Sequence, residues 1–400
     1  MEGREMYHDT KQLKWMMVAL VFAMLFWAAP VKAAGEPNVE QWTDEQLSGL
    51  DFSEVKEYWE KVVTDYDGFL PEIQSMNFED FLKSDKQGLF QKWISGILRY
   101  LFHELLVNGK LLGTLILLTV FSMLLQSIQN AFEYKTVSKV AYSMIYLVLV
   151  IIALNSFRVA VDYTTDAIHD MSHFLLALMP MILALMASTG NVTAVAFFHP
   201  IIVFLINVSG WLIAGFILPL LFLSALLHIV STLTEHYKVT QLANLLRNFA
   251  IGGLAIFFAI FLGVMSVQGM TTSIADGVAV KTAKFITGNF VPVVGRMFTD
   301  ATDTVLNASV LVKNTIGLAG LVILIIIAAF PALKVFALAL IYNLASAILQ
   351  PLGGGPVIEC LNIMGKCLIF IFAALAIVSI MFFLAVTIII ASGNLSLMVR

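Results

Sequence analysis

The sequence predicts an all-α, polytopic integral membrane protein: a helical bundle of about seven to nine crossings behind an N-terminal signal and a short acidic extracytoplasmic helical segment. Three observations carry this expectation. The chain of 400 residues is 60% hydrophobic and 12% charged, against about 25% charged residues in a soluble domain. Apolar runs of roughly bilayer-crossing length, about 20 residues, recur from residue 110 almost to the C-terminus. The charges are also partitioned. Residues 34–94 hold 14 acidic and 5 basic side chains, whereas residues 95–400 hold 10 and 14.

The elements follow in chain order. Residues 1–33 read as a signal peptide. Arg4, Lys11 and Lys14 form a basic start, Trp15 to Ala29 an apolar core, and Val31-Lys32-Ala33 a small-residue cleavage site after the Pro30 break. Residues 34–86 form an acidic extracytoplasmic segment with helical fragments, one beginning at Ser53 with Glu54, Glu57 and Glu60 in its first turns. Its small size limits the core it can bury. Residues 87–107 are expected as an amphipathic interfacial helix. Leu89, Phe90, Trp93, Ile94, Ile97, Leu98, Leu101, Phe102 and Leu105 recur at helical spacing, and Lys92, Arg99 and Glu104 occupy the other face. Packing of this helix on the membrane domain is the alternative.

Residues 108–400 form the multi-span membrane domain. Crossings are expected near 110–128, 138–157, 172–189, 192–208, 211–231, 249–268, 315–333, 335–350 and 367–391. A loop with Asp162, Asp166 and Asp170 would separate the second and third, Gly210 would turn the chain, and Pro331 and Lys334 would interrupt the run 315–350. With a cleaved signal the acidic segment lies outside, and Lys135 and Lys139 fall inside, as positive-inside topology requires. Residues 270–314 stand apart as an amphipathic or re-entrant helical hairpin. Asp276, Lys281 and Lys284 lie on its first arm; Asn289, Pro292, Gly295 and Arg296 surround the break; and Asp300 and Asp303 open its second arm. Irregular backbone at membrane depth is tolerated only in protein or beside water. These residues, with His199 in a Pro-kinked apolar run and expected toward the bundle interior, are the candidate partner or pore positions.

Catalytic motifs are not evident. Gly365-Lys366 lacks the upstream glycine of a phosphate loop, His103-Glu104 lacks the second histidine of a zinc protease, and no nucleophile elbow occurs. Asp162, Asp166, Asp170, His169 and His173 repeat every four residues and would approach one helical face. Such residues can ligate a metal, but no matching cluster accompanies them, and they read as a polar stripe at the membrane edge. Cys360 and Cys367 read as packing residues. No basic run suggests nucleic acid. A non-enzymatic chain with no metal or cofactor is expected, with the lipid bilayer as its solvent.

Several stretches resemble the stage III sporulation protein AE family: Gly288-Asn289-Phe290-Val291-Pro292-Val293-Val294-Gly295-Arg296 with Asp300, Asp303 and Lys313-Asn314 beyond it; Phe197-Phe198-His199-Pro200; Gln350-Pro351-Leu352 and the glycines after it; and Ser392-Gly393-Asn394. The resemblance covers roughly residues 95–400. It implies an endospore-forming source and a place in the mother-cell membrane surrounding the forespore. It further implies a channel or secretion-like complex supporting late forespore gene expression. The partners so implied are other membrane and cytoplasmic subunits, a forespore membrane partner across the intermembrane space, and a cytoplasmic ATPase. The competing expectation is a stand-alone secondary permease for a small solute, built on the helix breaks near 288–295 and 351–356 and on interior histidines.

Overall fold

The computed structural model describes Thr43, Leu47 and residues 49–398, apart from 72–75, 85–88, 132–135, 234–237, 291–293 and 354. The signal expected over 1–33 lies outside the described residues. Within them the chain is helical and holds no strand. Three short or amphipathic helices come first: α1 (Ser53–Asp65), α2 (Phe78–Lys83) and α3 (Leu89–Val107). Seven longer ones follow: α4 (Gly109–Ala131), α5 (Thr136–Ser188), α6 (Val192–Leu212), α7 (Leu218–Leu233), α8 (Thr240–Phe290), α9 (Val294–Leu349) and α10 (Pro356–Met398). A π-helical turn, Ile213–Ile217, joins α6 to α7 without a bend into a loop.

The polytopic bundle stands as the sequence predicts, but its apolar runs are grouped differently. The nine runs fall on six helical spans apolar and long enough to cross a membrane. The runs 138–157 and 172–189 are one helix, so Asp162, Asp166 and Asp170 sit on α5 rather than on a loop. The runs on either side of Gly210 form one span through the π turn, and 315–350 continues through Pro331. The physical reason is packing. A neighbouring helix can shelter a proline or a polar stripe within a long helix, so neither has to end it. α8 ends at Phe290 and α9 begins at Val294; Pro292 lies outside the described residues.

The long helices alternate in direction. Gly190, with a left-handed φ of 84°, turns α5 into α6, a conformation that glycine adopts without a Cβ penalty. Antiparallel α9 and α10 meet at Lys313 with Ile390 and Asn394, and again where Asn343 lies beside Gly365. α8 runs parallel to α10, with Gly269 against Ile388 and Arg247 over the Phe370 ring at 5.3 Å. The turn at 189–191, the α8–α9 break and the end of α10 therefore share one end of the bundle, called here the hairpin end. The Gln350–Pro356 connection, the α7–α8 junction and the C-terminal end of α4, where Gln126 lies beside Gly355, share the other.

The acidic segment does not cap either end. Val55, Trp59 and Val62 of α1 bury against Phe78 and Phe81 of α2, with Trp59 and Phe81 stacked at 4.4 Å. This small core docks at mid-height on the bundle. Lys61 Nζ donates to both carboxylate oxygens of Asp170 at 2.9 Å, Tyr58 meets Phe174 edge-on, and Tyr66 stacks on Phe330 at 3.8 Å. Helix α3 packs one face on the membrane domain. Trp93, Ile97 and Tyr100 turn inward, Tyr100 edge-on to Phe330, while Leu98, Phe102 and Leu106 remain exposed.

Candidate functional site at the hairpin end

Two buried charges mark the hairpin end. The first is Asp276 on α8, only 2% exposed. Its Oδ1 accepts the backbone N–H of Thr193 at 3.0 Å, and its Oδ2 that of Ala194 at 2.9 Å. A helix N-terminus leaves its first N–H groups without intrahelical partners and carries partial positive charge. The residue before α6, Asn191, makes no side-chain cap and instead donates its amide to Thr189 Oγ1 at 2.7 Å. Asp276 thus caps α6 from another helix, and the cap compensates the cost of burying its carboxylate. The tie fixes the first arm of the hairpin to the turn at 189–191.

The second is Lys313 on α9, fully buried. Its ammonium donates to Asn394 Oδ1 at 2.8 Å and to the Ile390 carbonyl at 3.2 Å, both on α10. No described carboxylate forms an ion pair with it. An ammonium removed from water needs oxygen ligands to be tolerated, and α10 supplies two. Gly393 makes the approach possible, because a Cβ there would overlap Lys313 Nζ. Two stretches of the family resemblance, 313–314 and 392–394, are therefore one contact. Asp276 ties the first arm and Lys313 the second, so both arms of the hairpin are anchored at their bases.

The other candidate positions divide. Lys281 is exposed on α8. Asn289 ends α8, and Gly295, Arg296, Asp300 and Asp303 open α9. The side chains of these five and of Lys284 lie outside the described residues, as does Pro292. His199 faces outward from α6, correcting the expectation of an interior histidine: Phe198 takes the buried position beside it. His228 is interior, its Nδ1 at 2.9 Å from the Ser224 carbonyl and its Nε2 at 3.2 Å from Asn244 Oδ1.

Two carboxylates of the aspartate stripe on α5 make ion pairs. Asp170 holds Lys61, Asp162 lies 3.8 Å from Arg158, and the His169 and His173 rings lie 4.1 Å apart. Among the described residues no three His, Cys, Asp or Glu side chains converge to hold a metal. Cys360 and Cys367 are both buried thiols. Interior hydroxyls join the helices near the opposite end, with Tyr342 donating to Ser156 Oγ at 2.8 Å and Tyr146 bonded to Thr232.

Long, mostly uncharged helices anchored by buried polar ties define a polytopic helical membrane protein. Residues 73–393 match the family model of stage III sporulation protein AE. The curated stage III sporulation protein AE of Bacillus subtilis (strain 168) is 57% identical over 400 residues, covering 98% of this chain and 100% of that relative. No solved structure matches the chain. The chain belongs to the stage III sporulation protein AE family.

Proposed function

We propose that this chain is a non-enzymatic membrane subunit of a sporulation-specific channel or secretion-like complex that links mother cell and forespore and is needed for late forespore gene expression. It resides in the mother-cell membrane surrounding the forespore, with the residues after its signal extracytoplasmic. The observation that carries this reading is the anchored hairpin. Asp276 and Lys313 fix the bases of α8 and α9 and leave the segment between them, with Lys281, Lys284, Asn289, Pro292, Gly295, Arg296, Asp300 and Asp303, to meet other subunits or line a passage. His199 extends that surface on α6. The partners are the other stage III subunits and a forespore membrane protein across the intermembrane space, with an ATPase on the cytoplasmic side. Affinity purification of the tagged full chain from sporulating cells recovers these subunits. Recovery of the chain alone, under conditions that preserve other membrane complexes, contradicts the proposal.

A second reading has one observation in its favour. A recess of about 610 Å³ beside the Gly353 turn is lined by Asn343, Ser346, Gln350, Glu359 and Asn362, and a secondary permease could bind a polar solute there. Solute flux by the purified chain alone in liposomes distinguishes the two.

A further inference from the structure

One polar pair on α5 has no partner in the bundle. His169 and His173 stand four residues apart, so their side chains share a face of the helix. Their ring centroids lie 4.1 Å apart at an interplanar angle of 37°. Among the described residues no hydrogen-bond partner meets either ring. The polar side chains between them are engaged. Asp170 holds Lys61, and Ser172 Oγ donates to the Ile168 carbonyl at 2.7 Å. Two imidazoles side by side gain little from each other. Four residues apart on a helix, they offer two nitrogen donors at the spacing with which a histidine pair chelates zinc.

The opposite wall belongs to α6. Both rings line a recess of about 260 Å³ together with Asn207 and Trp211. The match in height follows from the turn at Gly190: His173 and Asn207 stand equally far before and after it on antiparallel helices. Asn207 gives its amide N–H to the Val203 carbonyl at 2.7 Å, which leaves its Oδ1 as an acceptor. Asp166, three residues before His169, is exposed and makes no ion pair among the described residues. Its negative charge favours a cation nearby. Water reaches the site, because the Lys61–Asp170 pair beside it is itself partly exposed.

We propose that His169 and His173, with Asn207 Oδ1 as the third protein ligand, hold an exchangeable zinc-type divalent ion between α5 and α6. Imidazole nitrogen selects a transition ion, whereas calcium and magnesium take oxygen ligands. Water completes a four-coordinate shell. The third ligand is an amide, so the set differs from a cluster of three His, Cys, Asp or Glu, of which the described residues hold none. The ion braces α5 to α6 away from their turn. An ion that binds only the folded chain also stabilises it, so occupancy reads out as a higher unfolding temperature.

The test uses the full chain in nanodiscs, purified through a histidine-free tag, with Zn²⁺ as the probe. Equilibrium dialysis should find one Zn²⁺ per chain. His169→Gln and His173→Gln should each weaken that binding about tenfold or more, and Asn207→Ala a few-fold. His103→Gln, at an exposed histidine on α3, should leave it unchanged. Both α5 histidines are exposed, so their substitution leaves the fold intact. Zn²⁺ should raise the unfolding temperature of the parent and His103→Gln chains and of neither α5 variant. A parent chain that binds no stoichiometric Zn²⁺, or binding that survives either α5 substitution, overturns the proposal. An Asn207→Ala chain that binds as tightly as the parent takes α6 out of the site and overturns the brace.

Discussion

Single residues decide how the hairpin end is held. Removing the Asp276 carboxylate leaves two N–H groups at the start of α6 without acceptors in a buried site, and each such loss costs about 1–3 kcal/mol. Asp276→Ala therefore lowers the unfolding temperature of the detergent-solubilised protein by several degrees, and Asp276→Asn, which keeps one acceptor oxygen, by less. An Asp276→Ala protein as stable as the parent contradicts the capping role. Lys313 and Gly393 make a coupled pair. Gly393→Ala should destabilise on its own, since the Lys313 ammonium must move to make room for a Cβ, and less in a Lys313→Met background, where no ammonium is present. Additive losses in that double-mutant cycle would show that the two do not act through this contact. These pairs mark the limit of a linear reading. A lysine inside an uncharged run announces that it needs a partner, but nothing local says that the partner is Asn394, 81 residues away. Asp276 looks like a surface charge on an amphipathic arm until the fold brings the start of α6 against it. His199 was misplaced for a similar reason: beside a proline in an apolar run, periodicity alone does not say whether it or Phe198 turns inward.

At the scale of elements, the docking of the acidic segment depends on one exposed ion pair and a set of aromatic contacts. The Asp170 carboxylate accepts a hydrogen bond from Lys61 and holds its ammonium above the ordinary lysine range. A raised lysine pKa means that the contact is fully made below the ordinary value of about 10.4 and is lost as pH rises through the raised one. Both side chains are partly exposed, so the pair is worth about 0.2–1 kcal/mol, and the stacked Tyr66 and Phe330 carry more of the docking. Lys61→Asp accordingly speeds proteolysis of the 53–83 segment a few-fold, and Asp170→Lys in the same chain slows it again. Failure of the second change to restore protection would remove the pair from the account. The helical identity of these elements was legible from periodicity, as was the Gly353 turn before Pro356. The continuity of α5 and α9 was not. Proline, glycine and aspartate read as breaks in isolation, and only neighbouring helices reveal that the helix runs on through them.

For the whole molecule, composition was enough to predict the membrane class, because 60% hydrophobic residues with so few charges cannot be packed into a soluble core of this size. The number of crossings was harder to read, since nine apolar runs can be nine short helices or six tall ones. The structure stacks them in tall helices, with successive runs end to end on one helix. Its alternating directions put the turn at 189–191 and the hairpin of α8 and α9 at the same end, and the central claim is that this end faces the same side as the acidic segment, where another membrane's protein can meet it. The direct test is labelling, with a membrane-impermeant maleimide, of intact non-sporulating cells that express the chain lacking Cys360 and Cys367 and carrying one new cysteine at Glu57, Ser188, Lys281 or Leu352. The account predicts that Glu57→Cys, Ser188→Cys and Lys281→Cys label from outside and that Leu352→Cys labels only after permeabilisation. Protection of Lys281→Cys until the membrane is opened would place the hairpin in the cytoplasm and contradict it.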